Sequence, residues 1–136
     1  MRKLIFGGNG GASAASDFGL LVLRVFAGLG LAFGHGIKKL PPPDGFVKGV
    51  VGMGMPAFMA WGATFAELGC GILLALGLFT RPAATLILFT MGVAFFGVHL
   101  NDPFGRQELA LLYGFIALLF LLAGSGRFGV DTLIRK

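Results

Sequence analysis

Arg24 stands inside the apolar run Leu20-Leu-Val-Leu-Arg-Val-Phe-Ala-Gly-Leu-Gly-Leu-Ala-Phe-Gly-His35, and Glu67 stands inside a second apolar run. An ionisable side chain near the middle of a lipid-facing helix costs about 2.5–3.5 kcal/mol, so such residues turn inward, find a partner and mark a working site. The two opposite charges therefore read as a buried pair, Arg24 with Glu67. A guanidinium is long enough to bridge neighbouring helices and binds a carboxylate through two parallel hydrogen bonds. Such a pair either fixes which helices meet or handles a proton or substrate.

A second set of groups falls where the apolar runs end. His35, Lys38, His99 and Glu108 lie there, with Asp102 nearby, and Tyr113 stands inside a later run. These residues are the candidate ligand contacts. An imidazole or phenol can hydrogen-bond a quinone oxygen, and a carboxylate can relay the proton that accompanies each electron. Tyr113 is five residues past Glu108, about 140° around a helix, so those two do not share a face. Two imidazoles and a carboxylate also make a metal set, but HExxH, a histidine pair at i, i+4 and a cysteine ligand are all missing, so no metal is assigned. The plainest role for a histidine at a helix end is interfacial. No catalytic residue can be named.

The elements that must position these groups are membrane helices. Of the residues, 56% are hydrophobic and 12% charged, with a mean hydropathy of +0.88, which excludes an ordinary soluble domain. The 24 glycines lie within the apolar runs as well as between them, as in closely packed transmembrane helices. At about 20 residues per crossing there is room for four spans. Hydrophobic pattern and breakers place them at about 18–37, 56–79, 82–100 and 107–124. Asp17 is the expected cap of the first. Pro41-Pro-Pro-Asp-Gly45 stops that helix, while Pro56 and Pro82 suit the starts of the second and third. Residues 46–55 are too short and too glycine-rich to span and read as interfacial or partly re-entrant.

On the first helix Arg24, Gly28, Leu31 and His35 share a face, and Gly30 with Gly34 forms a GxxxG on an adjoining one. On the second, small residues flank Glu67 at Ala60, Ala63 or Thr64, and Gly71. Residues 1–16 read as a flexible tail before a four-helix domain at 17–136. Their apolar stretch, Leu4-Ile-Phe6, is too short for a signal peptide.

With the termini inside, the inner loops carry six cations (Arg2, Lys3, Arg81, Arg127, Arg135, Lys136). The outer loops carry four (Lys38, Lys39, Lys48, Arg106), which favours both termini in the cytoplasm. The net charge of +5 thus reflects topology, and no nucleic-acid partner is expected. The single cysteine, Cys70, excludes an intrachain disulfide or CxxC redox pair and reads as a core residue. Phosphate loops, dinucleotide fingerprints, catalytic triads and CxxCH haem attachment are absent.

Taken in order, the arginine-bearing span ending His35-Gly-Ile-Lys38, then Gly54-Met-Pro56, Glu67, Gly77-Leu-Phe-Thr-Arg81 and Gly124-Ser-Gly-Arg-Phe-Gly-Val-Asp131, resemble the DoxX family of four-helix membrane proteins of bacteria and archaea. The resemblance covers about residues 18–132. It implies polar family positions at Arg24, His35, Lys38, Glu67, Arg81, Glu108, Arg127 and Asp131. Better-known relatives form the quinone-reducing membrane part of thiosulfate:quinone oxidoreductase, and others associate with redox-stress enzymes.

The expectation is thus an all-α, four-helix, multi-pass protein of the inner (plasma) membrane. It would act as a quinone-interacting or accessory subunit of an oxidoreductase, with quinone as ligand and no intrinsic cofactor. Electrons would come from a redox-enzyme partner subunit, and the chain would not be catalytic alone. The expected surroundings are the lipid bilayer, that partner and a second copy of the chain. The other reading is a non-enzymatic scaffold or small-molecule carrier whose buried Arg–Glu pair sets packing or relays protons.

Overall fold

The computed structural model describes residues 13–135 and is helical throughout, with no strand among those residues. Four helices are long and apolar enough to cross a bilayer, Ala14–Lys39, Phe58–Leu76, Thr80–Val98 and Phe104–Ala123. Even the 19-residue members reach about 28 Å, close to the ~30 Å of hydrocarbon. In chain order, α1 is Ala14–Leu31, prolonged through a wide π turn at Ala32–Gly36 and a tight 3-10 turn at Ile37–Lys39. Then come α2 (Asp44–Gly52), α3 (Phe58–Leu76), α4 (Thr80–Val93, prolonged by a π turn at Ala94–Val98), α5 (Phe104–Ala123) and α6 (Val130–Arg135).

The helix ends follow local chemistry. Ser13 has extended backbone and its Oγ accepts the N–H of Ser16 at 3.1 Å, so Ser13 caps α1 in place of Asp17. Residues 14–16 of the expected tail are therefore helical, and residues 1–12 lie outside the described residues. Asp17, in the first turn, instead accepts the backbone N–H of Arg127 at 3.3 Å and ties the two ends of the chain together. Pro56 precedes the helical residues of α3, whereas Pro82 lies in the first turn of α4, where its missing N–H costs nothing. The segment expected at the interface forms α2, whose nine residues rise only about 13 Å and cannot cross. Val50 of α2 is buried, and Gly54 at φ +81° turns the chain back toward α3.

α1 packs on α3, α3 on α4 and α4 on α5, while α5 closes back on α1 more lightly. The α1–α3 contact runs along Gly28, Ala32 and Gly36, the i+4 row that begins at Arg24. A Cβ on Gly28 would stand 2.5 Å from the carbonyl of Gly71, and one on Gly36 would stand 2.5 Å from the backbone nitrogen of Leu68. Within the chain, no helix backbone packs against the Gly30-xxx-Gly34 pair. Nothing lies within 4 Å of a Cβ on Gly34, and Gly30 meets only the hydroxyl of Tyr113. The buried Arg24 turns its own row inward and carries these glycines with it. Leu31, Leu74, Ile87 and Phe120 fill the core between the helices, and most large apolar side chains outside it are exposed toward lipid.

Gly28→Val should lower thermal stability in detergent by at least the 1–3 kcal/mol typical of overpacking, because backbone blocks the new side chain. Gly34→Ala, with open space around it, should stay within about 0.5 kcal/mol of the parent. Equal losses in the two variants would show that this row does not set the α1–α3 distance.

Candidate functional site

The two buried charges of the sequence lie at different depths. Gly28 meets Gly71 and Ala75, whereas Gly36 meets Glu67 and Leu68. Arg24 lies twelve residues before Gly36, so it stands about 18 Å along the axis from the level of Glu67. The expected Arg24–Glu67 pair does not form. The count along the sequence assumed that α1 and α3 end flush, but α1 starts well below the end of α3, and Arg24 is level with Gly77.

At that level Arg24 is 1% exposed and organises three chain segments. Its Nη2 donates to the carbonyl of Phe128 at 3.4 Å, and the negative charge of Asp131 acts on the guanidinium. Nε and Nη1 have no hydrogen-bond partner among the described residues. Asp131 is wholly buried. One carboxylate oxygen accepts the N–H of Phe79 at 2.8 Å and the other that of Thr80 at 2.9 Å, while its own N–H donates to the carbonyl of Gly77 at 2.8 Å. A residue 51 positions away thus caps the N-terminus of α4, where an anion also suits the helix dipole. Gly77 (φ +69°) must be glycine for its backbone and for space, since a Cβ there would overlap Arg24 Nη1. The motifs Gly77-Leu-Phe-Thr-Arg81 and Gly124-Ser-Gly-Arg-Phe-Gly-Val-Asp131 are therefore two walls of one arginine socket.

Glu67 stands at the other level. Lys39 Nζ donates to its Oε1 at 2.8 Å and also lies 4.8 Å from the centre of the Phe46 ring. The Thr64 hydroxyl lies 3.0 Å from the carbonyl of Lys39 and 3.0 Å from that of Ala60, and so holds the end of α1 against α3. Glu67 is 4% exposed and its Oε2 has no partner among the described residues. The pair lines a cavity of about 420 Å³. Phe46 and Val50 of α2, then Met53, Met55 and Met59, form one side, and Leu86, Phe89, Thr90 and Val93 of α4 form another. Its ionisable lining residues are Lys39, Glu67 and His99. Leu86, Phe89 and Val98 both line the cavity and are exposed, so the cavity opens sideways toward lipid.

His99 follows the π turn of α4. Its Nδ1 lies 2.8 Å from Asp102 Oδ2, and Gln107 Nε2 donates to the carbonyls of His99 and Leu100, each at 2.9 Å. An ionised carboxylate only accepts, so the His99 ring donates through Nδ1, and in the neutral ring Nε2 is an acceptor. Met53 Sδ rests where a Cβ on Gly97 would be, 2.5 Å from that point, and pins the end of α2 to α4.

Of the ligand contacts expected from the sequence, only His99 lines this cavity. His35 instead meets Tyr113 edge-on, with ring centres 5.9 Å apart, across the α1–α5 contact. Lys38 and Glu108 are exposed and away from the cavity. The cavity cation is Lys39 and not Lys38, whose expected place rested only on its lying at the end of the apolar run; a π turn and a 3-10 turn end this helix and set which lysine faces Glu67. Thr64 was visible only as a small residue beside Glu67. The methionines gave no signal beyond their spacing around Pro56. No cluster of three or more His, Cys, Asp or Glu side chains suited to a metal occurs among the described residues.

A model of the DoxX family matches residues 19–100, which hold most of α1, all of α2 to α4 and the whole cavity lining. The chain is 32% identical over 121 residues to a protein named putative oxidoreductase CatD of Bacillus subtilis, covering 88% of this chain and 90% of that one. It is 35% identical over 110 residues to an uncharacterised protein of Haemophilus influenzae, covering 75% and 81% of the two chains. With the inner membrane protein YphA of Escherichia coli the identity is 37% over 98 residues, covering 65% and 69%. No solved structure matches the chain.

Double-mutant cycles read by thermal unfolding should separate the two levels. Lys39→Ala with Glu67→Ala should show a coupling of about 1 kcal/mol or more, whereas Arg24→Ala with Glu67→Ala should be additive within about 0.5 kcal/mol. Asp131→Ala should be the costliest single change of the three carboxylate and lysine sites, by about 1–3 kcal/mol, since it strips the buried side-chain cap from the start of α4. Strong Arg24–Glu67 coupling would refute the two-level arrangement.

Proposed function

The chain belongs to the DoxX family, and from that premise we propose that it is a quinone-interacting, accessory subunit of a membrane oxidoreductase system, with the Lys39–Glu67 cavity as the ligand site. One observation carries the reading, a lipid-facing apolar cavity whose ionisable lining is confined to a lysine, a glutamate and a histidine. Binding sites for small lipophilic ligands are mostly apolar pockets of this size with a few convergent polar groups. A long-chain quinone dissolves in the bilayer and would enter sideways, past Phe89.

A bound quinone supplies chemistry in which two electrons and two protons are exchanged together. Lys39 keeps N–H groups beyond the one given to Glu67 and can donate to a ligand oxygen, which orients the ring. Glu67 can take up or release a proton within reach of that oxygen, and the Thr64 contact keeps the backbone of Lys39 in place. The apolar walls exclude water from the exchange. Electrons come from a partner subunit, since the sole cysteine is buried and unpaired. The CatD relative carries an oxidoreductase name and the YphA relative an inner-membrane one, which supports placing this chain in the inner membrane. The six inner against four outer cations favour cytoplasmic termini.

Titration calorimetry of the purified protein with a decyl-substituted benzoquinone tests the reading. Gly62 lines the cavity with open space around its Cβ position, so Gly62→Phe should fill the site without disturbing the fold. Affinity should fall at least tenfold in Gly62→Phe and stay unchanged in Gly34→Phe, which points away from the cavity lining. No quinone binding to the parent protein, with thermal stability intact, would leave the scaffold or carrier role.

A further inference from the structure

Resting on the quinone-class reading, we infer that the cavity selects the reduced, hydroxyl-bearing form of its ligand, a quinol or related phenol, over the oxidised carbonyl form. The polar lining is richer in acceptors than its apolar walls require. Glu67 is 96% buried by its 4% exposure, and an ionised carboxylate offers about four acceptor positions. Lys39 fills one of them at Oε1, and Oε2 has no partner among the described residues. The terminal torsion of a glutamate is soft, so either oxygen can turn to meet a donor. A buried acceptor left unmatched is costly, and a ligand that brings an O–H relieves that cost.

His99 adds a second, partly exposed group at the cavity mouth. Its Nδ1 is committed to Asp102 at 2.8 Å, so in the neutral ring Nε2 is an acceptor. Lys39 is the lone cationic donor of the lining and serves either form, because quinone carbonyl and quinol hydroxyl oxygens both accept. A quinol therefore satisfies Lys39 and donates to Glu67, with its second hydroxyl free for His99. A quinone satisfies Lys39 and leaves the buried Oε2 of Glu67 unmatched. Tighter binding of the reduced form makes the bound couple a stronger oxidant than the free one, so the site draws electrons onto its ligand. A tenfold preference corresponds to about 30 mV for a two-electron couple.

The test compares three probes on the intact protein in detergent without oxygen: the decyl benzoquinone, its quinol, and the dimethyl ether of that quinol. The quinol should bind about tenfold tighter than the other two, the size of one hydrogen bond to a charged acceptor. Glu67→Gln, which places an amide donor beside the ligand, should shrink that ratio to below about threefold. The ether comparison needs only the parent protein, so a poorly folded variant does not blunt the test. Equal affinity for quinol and ether, or tighter binding of the quinone, overturns the selectivity while leaving the quinone-class reading intact. Binding of none of the three overturns both.

Discussion

A charge inside an apolar bundle must find its counter-charge at its own depth, and this protein solves that problem twice. At the level where α3 ends, Arg24 is enclosed by the carbonyl of Phe128, the charge of Asp131 and the bare backbone of Gly77. About 18 Å along the axis, Glu67 is held by Lys39 at 2.8 Å. The remaining architecture follows from these two sockets. Arg24 turns the Gly28–Ala32–Gly36 row toward α3, and that row brings the helices close enough for the end of α1 to reach Glu67. Asp131 meanwhile caps α4 from the far end of the chain, so the last described segment locks the connection between α3 and α4.

The two sockets differ in what they leave open. The Arg24 socket is closed by backbone on several sides and belongs to packing. The Lys39–Glu67 pair opens on a cavity of about 420 Å³, walled on one side by α2, a helix too short to span and anchored through Phe46 and Met53. A short helix with little buried surface is the natural place for local opening, because free energies of opening fall where apolar contacts are few. Polar chemistry, a lipid-facing mouth and a lightly held wall thus meet in one place.

Two helices that contribute to the cavity end in a π turn, Ala32–Gly36 in α1, which contains His35, and Ala94–Val98 in α4, which is followed by His99. Such turns insert an extra residue into the helical count and redirect the side chains that follow. In α1 the turn exposes Lys38 and presents Lys39 to Glu67. In α4 it delivers His99 to the cavity mouth, where Asp102 and Gln107 fix it.

The sequence by itself determined the membrane class, the four spans to within a few residues, and the identity of the two costly residues, Arg24 and Glu67. Hydropathy and helix length are additive along a chain, and the cost of an intramembrane charge does not depend on who its partner is. The partners were decided by tertiary structure alone. Opposite charges on two helices attract only if axial offset and rotation bring them level, and those depend on glycine contacts such as Gly28 with Gly71 that no single helix reveals. The same holds for the exchange of Lys38 for Lys39, which hinges on one wide turn, and for Asp131, whose role as a helix cap 51 residues away exists only once the chain has closed on itself.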